Sequence, residues 1–155
     1  MQTLFPKGEP RSPEFFTGNT FLTEVLEADH NNEFSIGSVT FEKGARTNWH
    51  THPKGQVLIV TSGKGWYQER GKPAQAIQIG DVINIPENIE HWHGASADSD
   101  LVHLAITNYK DGKKVTWYHR SPMKNTHKCI RLDKTLIKQA VKIAKKSVNL
   151  TAWSN

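Results

Sequence analysis

The sequence predicts an all-β fold, an antiparallel sandwich or barrel of the jelly-roll type, with an irregular N-terminal arm and a basic helix at its C-terminal end. Three observations point there. Many short segments alternate loosely between apolar and polar residues, turn-forming clusters separate them at close spacing, and helical periodicity is confined to the end of the chain. A strand sends successive side chains to opposite faces, so alternation marks a half-buried strand. Gly, Pro, Asn and Asp clusters bend the chain for steric reasons.

Residues 1–20 carry three prolines (Pro6, Pro10, Pro13) among the charges Lys7, Glu9 and Arg11, and read as an arm. In a small barrel such an arm covers a sheet edge, its own or that of a partner chain, so a homodimer is the expected assembly. The arm contains no apolar run resembling a signal-peptide core or a membrane span, and a cytoplasmic protein with no membrane partner is expected. The barrel is expected over 21–120. Its first clear strand is 34–42, FSIGSVTFE, closed by Lys43-Gly44. Further strands are expected over 56–61, 65–69, 74–79, 81–85, 100–108 and 115–119. The breaks between them are Ser62-Gly63, Arg70-Gly71-Lys72-Pro73, Gly80-Asp81, Pro86-Glu87-Asn88 and Asp111-Gly112. The extension over 121–155 differs in kind: Leu136, Ile137, Ala140, Val141, Ala144 and Val148 form a helical stripe opposite lysines, with Asp133 as N-cap.

A chain of 155 residues with 36% hydrophobic and 23% charged residues suits one domain and excludes disorder or a fibrous repeat. The single cysteine, Cys129, excludes an internal disulfide and has no second thiol or histidine pair beside it. The net charge of +5 hints at nucleic acid until it is divided along the chain. From Ser121 onward the charge is +7, and the remainder carries −2. The basic character therefore belongs to the extension, as a solvated helix face, and a nucleic-acid partner is not expected.

The chemistry lies in the histidines. Five of eight fall in three short pieces: His50 with His52, His91 with His93, and His103. Residues two apart in a strand share a face, so each pair can point into one cavity, and imidazoles converging from different strands suit a borderline divalent metal. His30, His119 and His127 read as surface residues, and Lys64, between Gly63 and Gly65, as a turn residue. Trp66, Trp92 and Trp117 read as core or interface.

The spacing of Gly44-ARTNW-His50-T-His52-PKG-Gln56-VLIVTS-Gly63 resembles the first motif of the cupin family, with Gln56 where Glu is usual. Gly80-DVINI-Pro86-EN-IE-His91 resembles the second, with Asn88 replacing Gly and Ala95 replacing the closing Asn. Asn tolerates the left-handed backbone that Gly otherwise serves. The resemblance implies a cupin-type double-stranded β-helix (jelly-roll) barrel holding a divalent transition metal on His50, His52, Gln56 and His91. The stretch from His50 to Thr107 is further similar to a small bacterial subgroup, the carboxymuconolactone decarboxylase-like cupins, which includes manganese-dependent hydroxynitrile lyases. That likeness implies Mn2+, with Fe2+, Zn2+ and Ni2+ as alternatives, and catalytic roles for His103 and His93. Replacing Glu by Gln keeps a carbonyl oxygen as ligand and leaves the ion its double charge. Thr47 and Val39 are expected in the pocket wall.

The expected activity is a lyase-type reaction on a small oxygenated molecule, cyanohydrin cleavage or decarboxylation, with the metal as Lewis acid and His103 as a base titrating near neutrality. Two other classes fit the same residues. An iron or nickel dioxygenase would use open coordination positions, although neutral ligands stabilise higher oxidation states poorly. A non-catalytic small-molecule or metal-binding module would keep the fold alone.

Overall fold

The architecture is a computed structural model that describes residues 3–120, within a compact unit spanning Met1–Ser121. The helix expected over the extension, with His127 and Cys129, lies outside the described residues. Twelve strands follow in chain order: β1 (Glu9–Pro10), β2 (Phe16–Thr17), β3 (Thr20–Leu26), β4 (Phe34–Phe41), β5 (Arg46–Thr47), β6 (His50–Thr51), β7 (Gln56–Glu69), β8 (Gln75–Gln78), β9 (Val82–Ile85), β10 (His91–Ala95), β11 (Leu101–Asn108) and β12 (Thr116–Trp117). All pairings between them are antiparallel. The described residues contain no α-helix, and none long and apolar enough to cross a membrane.

The first half of β7 joins the sheet β1-β3-β4-β11-β7 and also carries β9. Its second half pairs with β8 and β10, and β10 leads on to β5, β6, β2 and β12. β7 is thus the strand shared by both faces of the barrel. The sequence reading breaks it at Ser62-Gly63, whereas the chain runs on through both residues. The irregularity comes just before them: Val102 pairs with Ser62 and His103 with Val60, so Thr61 bulges out and the strand bends toward the second sheet. Gly63 lies at φ 74°, and a Cβ there would sit 1.9 Å from the Asp100 carbonyl oxygen, so this position requires glycine. Lys64 follows within the strand and not in a turn, paired with Gln78 and salt-bridged to Asp98 at 2.8 Å. Asn88 does adopt the left-handed backbone, at φ 59°.

The arm folds onto its own barrel. β1 extends the β3 edge, β2 pairs with β5, and the Asn48 amide side chain donates to Glu14 O at 2.7 Å. Strand β3 escapes the sequence reading because TFLTEVL alternates poorly, and most of its residues are half-buried. The core packs Phe41, Leu58, Ile77, Ile83, Ile85 and Leu101 between the sheets.

Candidate metal centre and pocket

Register brings one row of side chains across the inner face of the first sheet. Gln56, Leu58 and Val60 of β7 stand opposite Thr107, Ala105 and His103 of β11, which stand opposite Ser35, Gly37 and Val39 of β4. The row is apolar in its middle, with His103 at one end and Gln56 and Thr107 at the other. In the second sheet β10 pairs His91 with His50 of β6, and the period of two carries His93 to the same side as His91. His50, His52, His91, His93 and His103 are all buried, with 0–4% exposure. Ring centroids of His50 lie 4.2 Å from His91, 5.0 Å from His52 and 5.4 Å from His93.

Hydrogen bonds fix which nitrogen of each ring faces the others. A carbonyl oxygen can only accept, so a ring nitrogen bonded to one carries the proton. His50 Nδ1 donates to Asn48 O at 2.9 Å, His52 Nδ1 to Lys114 O at 2.5 Å and His91 Nδ1 to Ile89 O at 2.8 Å. All three Nε2 atoms therefore keep a lone pair, the form a metal ligand needs. The Gln56 side chain has its Nε2 donating to Thr107 Oγ1 at 2.8 Å, which leaves Oε1 as a candidate ligand atom. The Nε2 atoms of His52 and His91 and the Oε1 of Gln56 are buried with no hydrogen-bond partner. Unpaired buried acceptors of this kind mark a place where something else binds.

His93 and His103 form a second arrangement, with Nε2 of His103 and Nδ1 of His93 3.2 Å apart. Only one proton can lie between them, and His103 Nδ1 is buried without a partner. Thr47 Oγ1 accepts from the His93 backbone N–H at 3.2 Å, tying this dyad to β5. By distance alone another set could hold a metal: His50, His91 and His93 bring one nitrogen each within 4.8 Å of one another. The two sets share His50 and His91.

Burial lowers every one of these histidines from its ordinary value near 6.5. His50 and His93 are held well below it, with neighbouring imidazoles adding to the effect, and His91 and His103 are pushed down to about 4. His52 is lowered mainly by burial as well. His103 thus departs from the expectation of titration near neutrality and stays neutral throughout the physiological range. For stability, as pH falls the unfolded chain takes up protons near 6.5 while the folded one resists until about 4. The stabilisation is complete above pH 6.5, is lost as pH falls through that window, and is gone below it. For His91 and His103 it is roughly 3 kcal/mol each. Metal-free protein is therefore expected to lose most of its stability between pH 6.5 and 4 in chemical denaturation, and equal stability at pH 7 and pH 4.5 would contradict this.

Four of these histidines, His50, His52, His93 and His103, border a cavity of about 210 Å3 that Gln56, Val39 and Thr47 also line. Thr47 and Val39 are in the wall as the sequence suggests. Trp117 is there too, where core or interface is expected: β12 pairs Trp117 with His50, and the two rings lie 4.7 Å apart. Trp92 is core, its Nε1 donating to Gln68 Oε1 at 2.8 Å, and Trp66 is half-buried. The sequence reading misses the arm's share of the wall. Arg11, Phe15 and Phe16 line the cavity, Phe15 stacks on Trp117 at 5.0 Å, and Phe16 lies 6.4 Å from Phe41. The adjacent aromatic pair in an otherwise polar arm is the available signal. His30 and His119 are exposed, as expected.

The family model described as Cupin domain matches residues 37–107. An (R)-mandelonitrile lyase from Granulicella tundricola is 45% identical over 104 residues, 67% of this chain and 79% of that protein. The crystal structure of a cupin-like protein from Thermotoga maritima is 43% identical, with a TM-score of 0.77 over 83% of this chain and 97% of that one. The polyketide cyclase RemF from Streptomyces resistomycificus shares the fold at 16% identity, with a TM-score of 0.56 over 66% of this chain and 72% of its own.

Proposed function

The chain belongs to the cupin family, and on that premise we propose that it is a manganese-dependent lyase cleaving the cyanohydrin of a small aromatic aldehyde. The observation that carries the reading is that His50, His52, His91 and Gln56 are each held by a hydrogen bond at one end of the side chain, and that Nε2 of His52 and His91 and Oε1 of Gln56 are left buried without a partner. A divalent ion on these four side chains supplies Lewis acidity toward a substrate hydroxyl oxygen. Three neutral imidazoles and a neutral amide would leave such an ion its full charge. Fe2+, Zn2+ and Ni2+ satisfy the same donors, and the metal is decided by loading.

The wall suits the rest of such a substrate. About 150 Å3 suffices for benzene, and Phe15, Phe16, Phe41 and Trp117 surround a cavity only somewhat larger. His103, neutral and buried, takes the hydroxyl proton on Nδ1, its nitrogen without a protein partner, and the carbon–cyanide bond breaks to give the aldehyde. The same proton passes to the departing cyanide. His93, bonded to the far nitrogen of His103, holds the ring in the orientation this requires. Decarboxylation of a small acid is a second reading, favoured by Arg11 and Lys114, which line the same cavity and suit a carboxylate.

The test is protein purified without a nickel column, stripped, reloaded with each metal in turn and given mandelonitrile. Benzaldehyde release above the metal-free background, greatest with Mn2+, is the expected result. No release with any metal overturns the cyanohydrin reading, and carbon dioxide from a small aromatic keto acid would replace it.

A further inference from the structure

The ligand atom of Gln56 differs from the histidine nitrogens in one respect: nothing in its own chemistry fixes which end faces the cavity. An amide's oxygen and nitrogen have nearly the same shape, yet only the oxygen carries a lone pair for a metal, and the NH2 group would repel one. The histidines are fixed by backbone carbonyls. Gln56 rests on a side-chain hydroxyl, which here accepts from its Nε2. Gln56 and Thr107 are register partners on β7 and β11, both 6% exposed, and their 2.8 Å hydrogen bond is buried. With Nε2 donating there, Oε1 is left without a partner inside the pocket that His52 also lines.

We infer that Thr107 is a positioning residue for the metal site, holding the Gln56 amide so that its oxygen faces the ion. This rests on the metal-site reading above and extends it from the ligands to the residue that orients one of them. A carboxylate at position 56 would present an oxygen whichever way it turned, so the need for Thr107 arises from the amide in this chain. Losing the hydroxyl leaves the NH2 group buried without an acceptor, and the amide then rotates toward whatever polar atom the cavity offers. A hydrogen-bonded support of this kind typically changes metal affinity about 10–100-fold when removed.

Mn2+ affinity of the full-length protein, measured by competition with a fluorescent chelator, tests the inference without an activity assay. Thr107→Val is expected to bind Mn2+ about tenfold or more weakly, whereas Thr107→Ser, which keeps the hydroxyl, stays within about threefold of the unaltered protein. In a Gln56→Ala background the valine change is expected to have no further effect, because the group it positions is gone. Circular dichroism checks the fold, and Thr107→Ala takes the place of the valine variant if that fails to fold. Unchanged affinity in Thr107→Val overturns the inference. So does equal weakening by valine and serine, or a full additional loss in the Gln56→Ala background, since either makes Thr107 a packing residue only. If the unaltered protein binds no Mn2+, the metal-site reading falls and this inference with it; if it binds and Thr107→Val binds equally well, this inference falls alone.

Discussion

His103→Ala is expected to keep its full metal content and lose about a hundredfold or more in turnover under the proposed mechanism, in which the residue moves a proton and does not hold the ion. His103 lies on β11 in the first sheet, across the cavity from the His50–His91 pair, and its Nε2 is engaged with His93 rather than with the metal donors. The pH profile gives the result a second axis. A base must be neutral to accept a proton, and burial lowers His103 to about 4, so activity rises with pH through that region and is flat from there to neutrality. In the alanine variant that acid limb is expected to vanish. Metal content, melting temperature and turnover measured on one preparation separate the possible roles. Loss of metal with activity makes His103 a support for the ligands. A lowered melting temperature with unchanged turnover per bound metal makes it a wall residue.

The spacing of the candidate ligands was legible in the sequence because it is local. His50, His52 and Gln56 sit in one turn-bounded segment, and a period of two is enough to put paired histidines on one face. The jelly-roll class was legible for the same reason, from short alternating segments and their turns. What the sequence hid depends on contacts between distant segments. Gly63 reads as a turn, but the carbonyl of Asp100 passes so close that only glycine fits there, and β7 continues through it. Trp117 reads as core, and only its pairing with His50, 67 positions earlier, brings it to the pocket. Phe15 and Phe16 follow the same pattern, since the arm's place is set by β5 and β3 and not by its own composition. His103 lies in the cavity wall, but the lowering of its pKa to about 4 was not legible, because burial is a property of the assembled barrel.

The second large effect concerns which histidines hold the ion. His50→Ala and His91→Ala are expected to weaken metal binding at least tenfold under either ligand set, leaving a folded barrel whose apolar core does not depend on the ion. His52 and His93 tell the sets apart. Proximity favours His93, but packed rings reach such distances without sharing an ion, and lone pairs are the stricter criterion. For His93 to offer Nε2, its Nδ1 must carry the proton shared with His103, and His103 then carries its own proton on Nδ1, where the proposed base needs a lone pair. His52 Nε2 and Gln56 Oε1 would also stay unpaired. Placing the ion on His52 and Gln56 removes both of those orphans and leaves His103 Nδ1 as an open lone pair, the state a base requires. His52→Ala is therefore expected to lose metal as severely as His91→Ala, and His93→Ala to keep its affinity within about threefold while losing turnover through the dyad. Direct metal titration of the two variants decides it: retained Mn2+ in His52→Ala, together with loss in His93→Ala, would move the ion to the His50–His91–His93 set and pass the role of base away from His103.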